Sequence, residues 1–315
     1  MFFQVLFRVL GSSDLWQATL QFGALLLLPA LGGVISERSG VVNIAMEGMM
    51  LTGAYAGVMV ALSTNSLLLG VLGAMIAGGL MALVHAIISI NFKANQIVSG
   101  IAINIAALGL TNYLLFVQTG GQGVRSLGSN LRLPVITWGP LAHIPFLGPV
   151  LFQQNIIFYV ALLILAGIQL LLFRTNIGLR IRSVGEHPQA ADTAGVNVRL
   201  VRYLCVISSG LLSGLAGVFL SLGIAGIFNS DITAGAGYIA LAAMIFGKYT
   251  PLGTALACVI FGLGEALSVR MQDSGVSPNL LSTIPYLLTL IALVGIVGRT
   301  TPPAADGIPY EPGTE

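Results

Sequence analysis

Few ionisable side chains interrupt the apolar runs of this 315-residue sequence, and those few define the chemistry open to it. Glu47, Glu265 and His85 fall inside such runs. A charge at mid-bilayer costs roughly 2.5–3.5 kcal/mol on insertion scales, so these groups are expected to face protein or a wet path rather than lipid. Glu47 lies about two turns into its run, and two readings of it stand side by side: a carboxylate lining a hydrophilic route, and one bonded to a neighbouring helix. His85 reads as a packed or interfacial histidine. Asn43, Asn104, Asn112 and Gln96 have the amide donors and acceptors to bind a polar solute, although amides also hold helices together. Asn43, Glu47 and Asn104 are the candidates for a translocation path. Asp231 reads first as a capping or loop residue.

Catalytic constellations are absent from the sequence. Gly247-Lys248 lacks both the upstream glycine and the following hydroxyl of a phosphate loop. There is no Gly-x-Ser-x-Gly elbow and no Cys/His spacing suited to zinc. Cys205 and Cys258 both lie in apolar segments, where cysteine acts as a small hydrophobe. No catalytic residue, metal site or cofactor is expected, and the chain does not read as an enzyme. If ATP drives anything through it, another chain hydrolyses the nucleotide. The net charge of +2 gives no nucleic-acid footprint.

The elements that must position these side chains follow from composition. Charged residues are 8% of the chain, against about a quarter in soluble domains, and apolar runs of near-spanning length recur. Only helices satisfy their own backbone in hydrocarbon when drawn from such runs. The expected fold is all-α: a polytopic membrane bundle of about 8–10 spans, one domain over 1–315, multi-pass with lipid around it. Candidate spans are 15–36, 41–63, 66–90, 94–117, 154–173, 203–224, 236–248, 250–270 and 281–298, of which 236–248 is short for a crossing. Met1–Leu10 carries only Arg8 and no small-residue cleavage site follows, so no removable leader is expected.

One long polar run stands out from this background. Arg174, Arg180, Arg182, Arg199 and Arg202 crowd the segment 174–202 against Glu186 and Asp192, and basic loops collect on the cytoplasmic side. Inside it, Pro188 followed by Gly195 marks the start and end of a short helix, over 188–194. Such a helix is a natural docking peg for a soluble partner, or an ordinary connector. Counting spans outward from that loop puts 299–315 in the cytoplasm as a tail, and puts the N-terminus and the Gly- and Pro-rich loop 118–153 outside. That loop reads as a structureless connector ahead of a lid or docking surface.

Glycines within the spans, such as Gly53, Gly57, Gly210, Gly214 and the Gly78-Gly79 pair, set small residues where helix backbones can approach closely. A weak internal likeness joins Asn43–Met50 to Tyr238–Ile245, five crossings apart. An odd separation reverses orientation, as in inverted repeats around a central path, and predicts broken helices there.

Two motifs carry a family resemblance. Gly33 to Met50, GVISERSGVVNIAMEGMM, resembles the early signature of permease subunits from bacterial ABC importers of the branched-chain amino acid, ribose and nucleoside group. Gly185 to Val198, GEHPQAADTAGVNV, is similar to that group's cytoplasmic coupling segment. The likeness runs from about residue 20 to the Pro302-Pro303 tail, and the tail ending Ile308-Pro309-Tyr310-Glu311 tilts it toward nucleoside and simple-sugar permeases. It implies ABC ATPase subunits, a second permease subunit in a homo- or heterodimer, and an extracytoplasmic solute-binding protein as partners. It also implies coupling to the ATPase through Gly185, Glu186, His187, Pro188, Ala190, Ala191, Asp192 and Gly195. The solute expected is neutral and polar, a nucleoside or simple sugar. An ion-coupled secondary transporter using Glu47 or Glu265, and an ABC permease for branched-chain amino acids, are the alternatives.

Overall fold

The computed structural model describes residues 8–272, 277–281, 283–285, 287 and 300–311. Twelve helices are followed here: α1 Ser13–Glu37, α2 Met46–Thr64, α3 Leu67–Ala86, α4 Gln96–Thr119, α5 Leu147–Phe152, α6 Ile156–Arg174, α7 Asn176–Glu186, α8 Pro188–Thr193, α9 Val198–Val218, α10 Ala236–Phe246, α11 Pro251–Arg270 and α12 Pro278–Leu281. Turns of π-helix extend α3 over Ile87–Asn91 and α9 over Phe219–Ala225. Short polar side chains set the starts. Asn95, Asn155 and Asn197 accept first-turn N–H groups at 2.9, 3.1 and 3.0 Å, filling the valence a helix start leaves open.

Among the described residues, six helices are long and apolar enough to cross a bilayer: 13–37, 67–91, 96–119, 156–174, 198–225 and 251–270. These are six of the nine candidate runs. Residues 41–45 are not helical, so the run at 41–63 is a helix entered late, from Met46. The run at 236–248 is the eleven-residue α10, too short to cross. Most of 281–298 lies outside the described residues.

The packing is exchanged between the two halves of the chain. α1 lies along α11 and α9 lies along α3; α10 packs on α1 just as α2 packs on α9. Swapping α1 with α9, α2 with α10 and α3 with α11 reproduces the arrangement. The contacts are glycine-lined: a Cβ placed on Gly53 would lie 2.5 Å from the Gly214 Cα, and one on Gly262 would meet the Gly23 backbone. Only absent side chains allow approach this close, the packing route open to helices in lipid. Leu72, Ile76 and Leu80 on α3 and Ile101 and Ile105 on α4 are exposed, an apolar surface suited to hydrocarbon.

The segment 118–153 is folded rather than structureless. Its strand β1 (Val124–Ser126) pairs antiparallel with β4 (Ile227–Asn229), and β2 (Val135–Thr137) with β3 (Gln153–Asn155). Leu127, Leu131 and Leu133 join Phe158, Phe219 and Phe228 in one buried cluster. These apolar anchors and the two strand pairs turn the loop into a cap over this end of the bundle.

Candidate functional site

Two places concentrate the polar side chains singled out in the sequence. The first is inside the bundle. α1 ends at Glu37, the chain turns at Gly40, whose φ is +86°, and Val41–Ala45 runs without helix before α2 begins. Each unmet backbone group would cost several kcal/mol in hydrocarbon, so side chains from other helices supply the partners. The Val41 carbonyl accepts from the Ser36 hydroxyl at 2.7 Å, and the Val42 N–H donates to Gln96 Oε1 at 2.7 Å. The Val42 carbonyl accepts from His85 Nε2 at 3.0 Å, which fixes that nitrogen as the donor, while Nδ1 meets Ser99 Oγ at 3.0 Å. Asn104 clamps both sides of the start of α2. Its Nδ2 donates to the Ile44 carbonyl at 3.0 Å and to the Tyr238 hydroxyl at 2.9 Å, and its Oδ1 accepts the Gly48 N–H at 2.8 Å. Asn43 accepts the Ala45 N–H at 3.1 Å and donates to Ser209 Oγ at 2.8 Å.

Glu47 performs the matching service for α10. Its Oε1 accepts the Thr233 hydroxyl at 2.5 Å and the Gly235 N–H at 3.0 Å, and its Oε2 accepts the Gly237 N–H at 2.6 Å. A carboxylate here meets the orphan donors and the positive end of the helix dipole together. α10 needs this help because the chain reaches it through tight turns, with Asp231, Ala234 and Gly235 all at positive φ. Asp231 is thus a loop residue. From this junction α2 runs toward the β-strand cap, while α10 runs the other way and ends where Arg38 Nε donates to the Tyr249 carbonyl at 2.9 Å. The long α2 and the short α10 leave one buried polar knot in opposite directions, the geometry of an inverted repeat. The residue-by-residue likeness was out of register: the helices start at Met46 and Ala236, whereas the likeness set Met46 against Leu241.

Asn43, Glu47 and Asn104 are therefore brought together at exposures of 0%, 7% and 7%, with both polar atoms of each side chain engaged. Glu265, on α11, lines a cavity of about 130 Å³ with Phe22, Leu25, Leu220, Ala236 and Thr233, the residue that Glu47 holds. Among the described residues no group of three His, Cys, Asp or Glu side chains gathers as a metal site would require.

The second place is the prong beyond the end of α6. Thr175 starts α7 by accepting the Gly178 N–H at 3.1 Å. α7 closes against the end of α1, where a side chain at Gly185 would strike the Arg38 carbonyl. Pro188 opens α8, and Gly195, at φ +82°, follows its close with its N–H on the Asp192 carbonyl at 2.9 Å, one residue earlier than the 188–194 span expected. Glu186, His187, Ala190, Asp192 and Gly195 are exposed; Gly185, Pro188 and Ala191 are buried beneath them. Leu179, Arg180, Ser183, Glu186, Ala190 and Val196 line an open groove of about 430 Å³ on this face. Arg182 lays its guanidinium 5.2 Å from the Phe173 ring centroid.

The sequence reading missed the C-terminal segment, which docks onto the same face. Burial pushes the Asp306 carboxyl up to about 7, against the opposing pull of Arg202. Its Pro-rich composition gave no periodicity to read, and Ile308 and Tyr310, the two large apolar groups there, were the only signal.

The family described as branched-chain amino acid transport system / permease component matches residues 17–293. The guanosine ABC transporter permease protein NupQ of Bacillus subtilis is 42% identical over 312 residues, covering 94% of this chain and 96% of the relative. The nucleoside ABC transporter permease protein NupC of Lactococcus lactis is 37% identical, covering 90% of this chain and 92% of the relative. The putative glucose ABC transporter permease protein TsgC13 of Haloferax volcanii is 36% identical, covering 92% of this chain and 93% of the relative. No solved structure matches the chain.

Proposed function

This chain belongs to the permease-component family of branched-chain amino acid transport systems, and from that premise we propose that it is the membrane subunit of an ATP-binding cassette importer for nucleosides, or for simple sugars. It is a multi-pass membrane protein and a transport component rather than an enzyme. The solute class rests on the near full-length relatives named for guanosine, nucleosides and glucose. ATPase subunits and a solute-binding protein complete the system, and a second permease subunit, the same chain or a sister, would form the other wall of the path.

The observation that carries the mechanism is the buried knot from which α2 and α10 depart in opposite directions. Helix ends held by side chains rather than by continuous backbone can be re-aimed without unfolding a span, which alternating access requires. In this reading Asn43, Glu47 and Asn104 act on the path through the helix starts they hold. The prong lies in the cytoplasm with the tail 299–315, the segment 118–153 lies outside, and α8 takes the push of the closing ATPase. Gly185, set against the Arg38 carbonyl, hands that push to the elbow at 38–45. Coupling requires that the ATPase contact α8 differently in its open and closed states.

The test is uptake of labelled guanosine, glucose and leucine by the complete transporter in vesicles. Guanosine or glucose should enter only with ATP. Replacing exposed Ala190 by Arg should abolish uptake and ATPase stimulation while leaving the chain in the membrane. Uptake by the chain alone under a proton gradient would establish the ion-coupled alternative instead, and leucine uptake without the others would move the solute class.

A further inference from the structure

Residues 300–311 do not trail away from the prong; they cross it. The Ala305 N–H donates to the Gly185 carbonyl at 2.9 Å, and the Ala304 N–H to Glu186 Oε2 at 3.2 Å, both at the end of α7. Arg202 on α9 is 2% exposed and donates from Nη1 to the Ile308 carbonyl at 3.0 Å. Tyr310, 8% exposed, completes an apolar cluster with Val184 of α7, Ala191 of α8 and Val198 of α9. A Cβ on Gly40 would meet the Ala305 carbonyl and the Arg202 guanidinium, so the tail also bears on the elbow that leads to α2. Glu311 reaches the far side, pairing with Lys93 at 2.5 Å in the turn between α3 and α4.

A helix of six residues does not hold its place by its own hydrogen bonds. α8 buries only Pro188 and Ala191, and the cluster that receives Ala191 is closed by Tyr310. The buried Arg202 likewise depends on the tail, because an internal guanidinium stripped of a partner is strongly destabilising.

We propose that residues 303–311 are a clasp that fastens the α7–α8 prong to the 38–45 elbow, so that a push delivered to α8 reaches the broken helix instead of being absorbed by the connecting turns. Tyr310, Ala305 and Arg202 are thereby positioning residues of the coupling step. This rests on the importer reading above and adds to it a component that the coupling segment itself does not contain.

The experiment uses the complete transporter in vesicles and reads the number of ATP molecules hydrolysed per solute imported, together with hydrogen exchange over 186–196. Tyr310→Phe keeps the ring, loses only the interaction of its hydroxyl with Asp192 on α8, and should stay nearest the wild type. Tyr310→Leu and Tyr310→Ala should raise the ATP-to-solute ratio several-fold in that order, with faster exchange in the prong and unchanged association with the ATPase. If Tyr310→Ala does not accumulate in the membrane, Tyr310→Leu against Tyr310→Phe carries the comparison. An unchanged ratio in the leucine variant overturns the clasp. Loss of ATP-dependent uptake in the wild type would instead overturn the importer reading, so the two failures are distinguishable.

Discussion

At the knot between α2 and α10, Asn43, Asn104, Glu47 and His85 each commit both polar atoms to partners within this chain. On the prong face Arg174, Arg180 and Arg199 are exposed, and among the described residues none of them makes an ion pair. The contrast follows from the solvent each region meets. Where backbone is broken in hydrocarbon, a polar side chain is needed to replace the missing ladder. Where water supplies the partners, charges stay free for another molecule. Substitutions at the knot should therefore damage the fold, and substitutions on the prong should damage work without damaging the fold.

The strongest challenge to that contrast is Glu47→Ala. It leaves the Thr233 hydroxyl and the Gly235 and Gly237 N–H groups unmet, and at about 1–3 kcal/mol per buried orphan the loss should reach about 3 kcal/mol or more. Thermal unfolding in detergent measures it. Glu47→Gln retains one acceptor oxygen and should fall between. An unshifted melt for Glu47→Ala would mean that the knot is not what holds α10.

A smaller effect sharpens the border between the regions. Asp306, in the clasp, is faced by Glu37 of α1, Arg202 of α9 and Tyr249 after α10. Its carboxyl stands at about 7 rather than the ordinary 3.8, with burial as the chief cause. The docked tail therefore holds a proton that a released tail gives up between those values, so docking weakens as pH rises through about 7. Hydrogen exchange over 303–311, corrected for the intrinsic rate, should be slower at about pH 6 than at about pH 8. Asp306→Asn should flatten the difference, and a profile that stays steep in the asparagine variant would place the titrating group elsewhere.

The smallest expected effect is on the stability of Arg180→Ala and Arg199→Ala, within about 0.5 kcal/mol of the parent. Their uptake should nonetheless fall if the ATPase reads these charges. Melting points that dropped as far as that of Glu47→Ala would erase the distinction.

Much of this was legible in the sequence, because run length and composition report directly on the solvent a helix meets. The run 236–248 was already short for a crossing, and Pro188 and Gly195 bracketed α8. Other features are relations between distant residues. Val41-Val42-Asn43-Ile44 reads as the start of an apolar span, and only Gln96, His85 and Asn104 arriving from other helices make it a stable break. Glu47 kept two readings until Thr233, 186 residues later, met it. Arg202 stood in the basic run and Tyr310 in the Pro-rich tail, yet the bond from Arg202 to the tail spans 106 residues, and nothing local joins the two ends.

The exchanged packing sets a timetable for biogenesis. α1 enters the membrane first, but the neighbour for its Gly23 face is Gly262 of α11, near the other end of the chain. During translation the Gly23 face of the first helix must wait while the intervening spans are inserted, and the seam between α1 and α11 closes only after α11 emerges. Ribosome-bound chains released before α11 should thus be inserted yet open to proteases and membrane chaperones, and full-length chains should become protected in one late step.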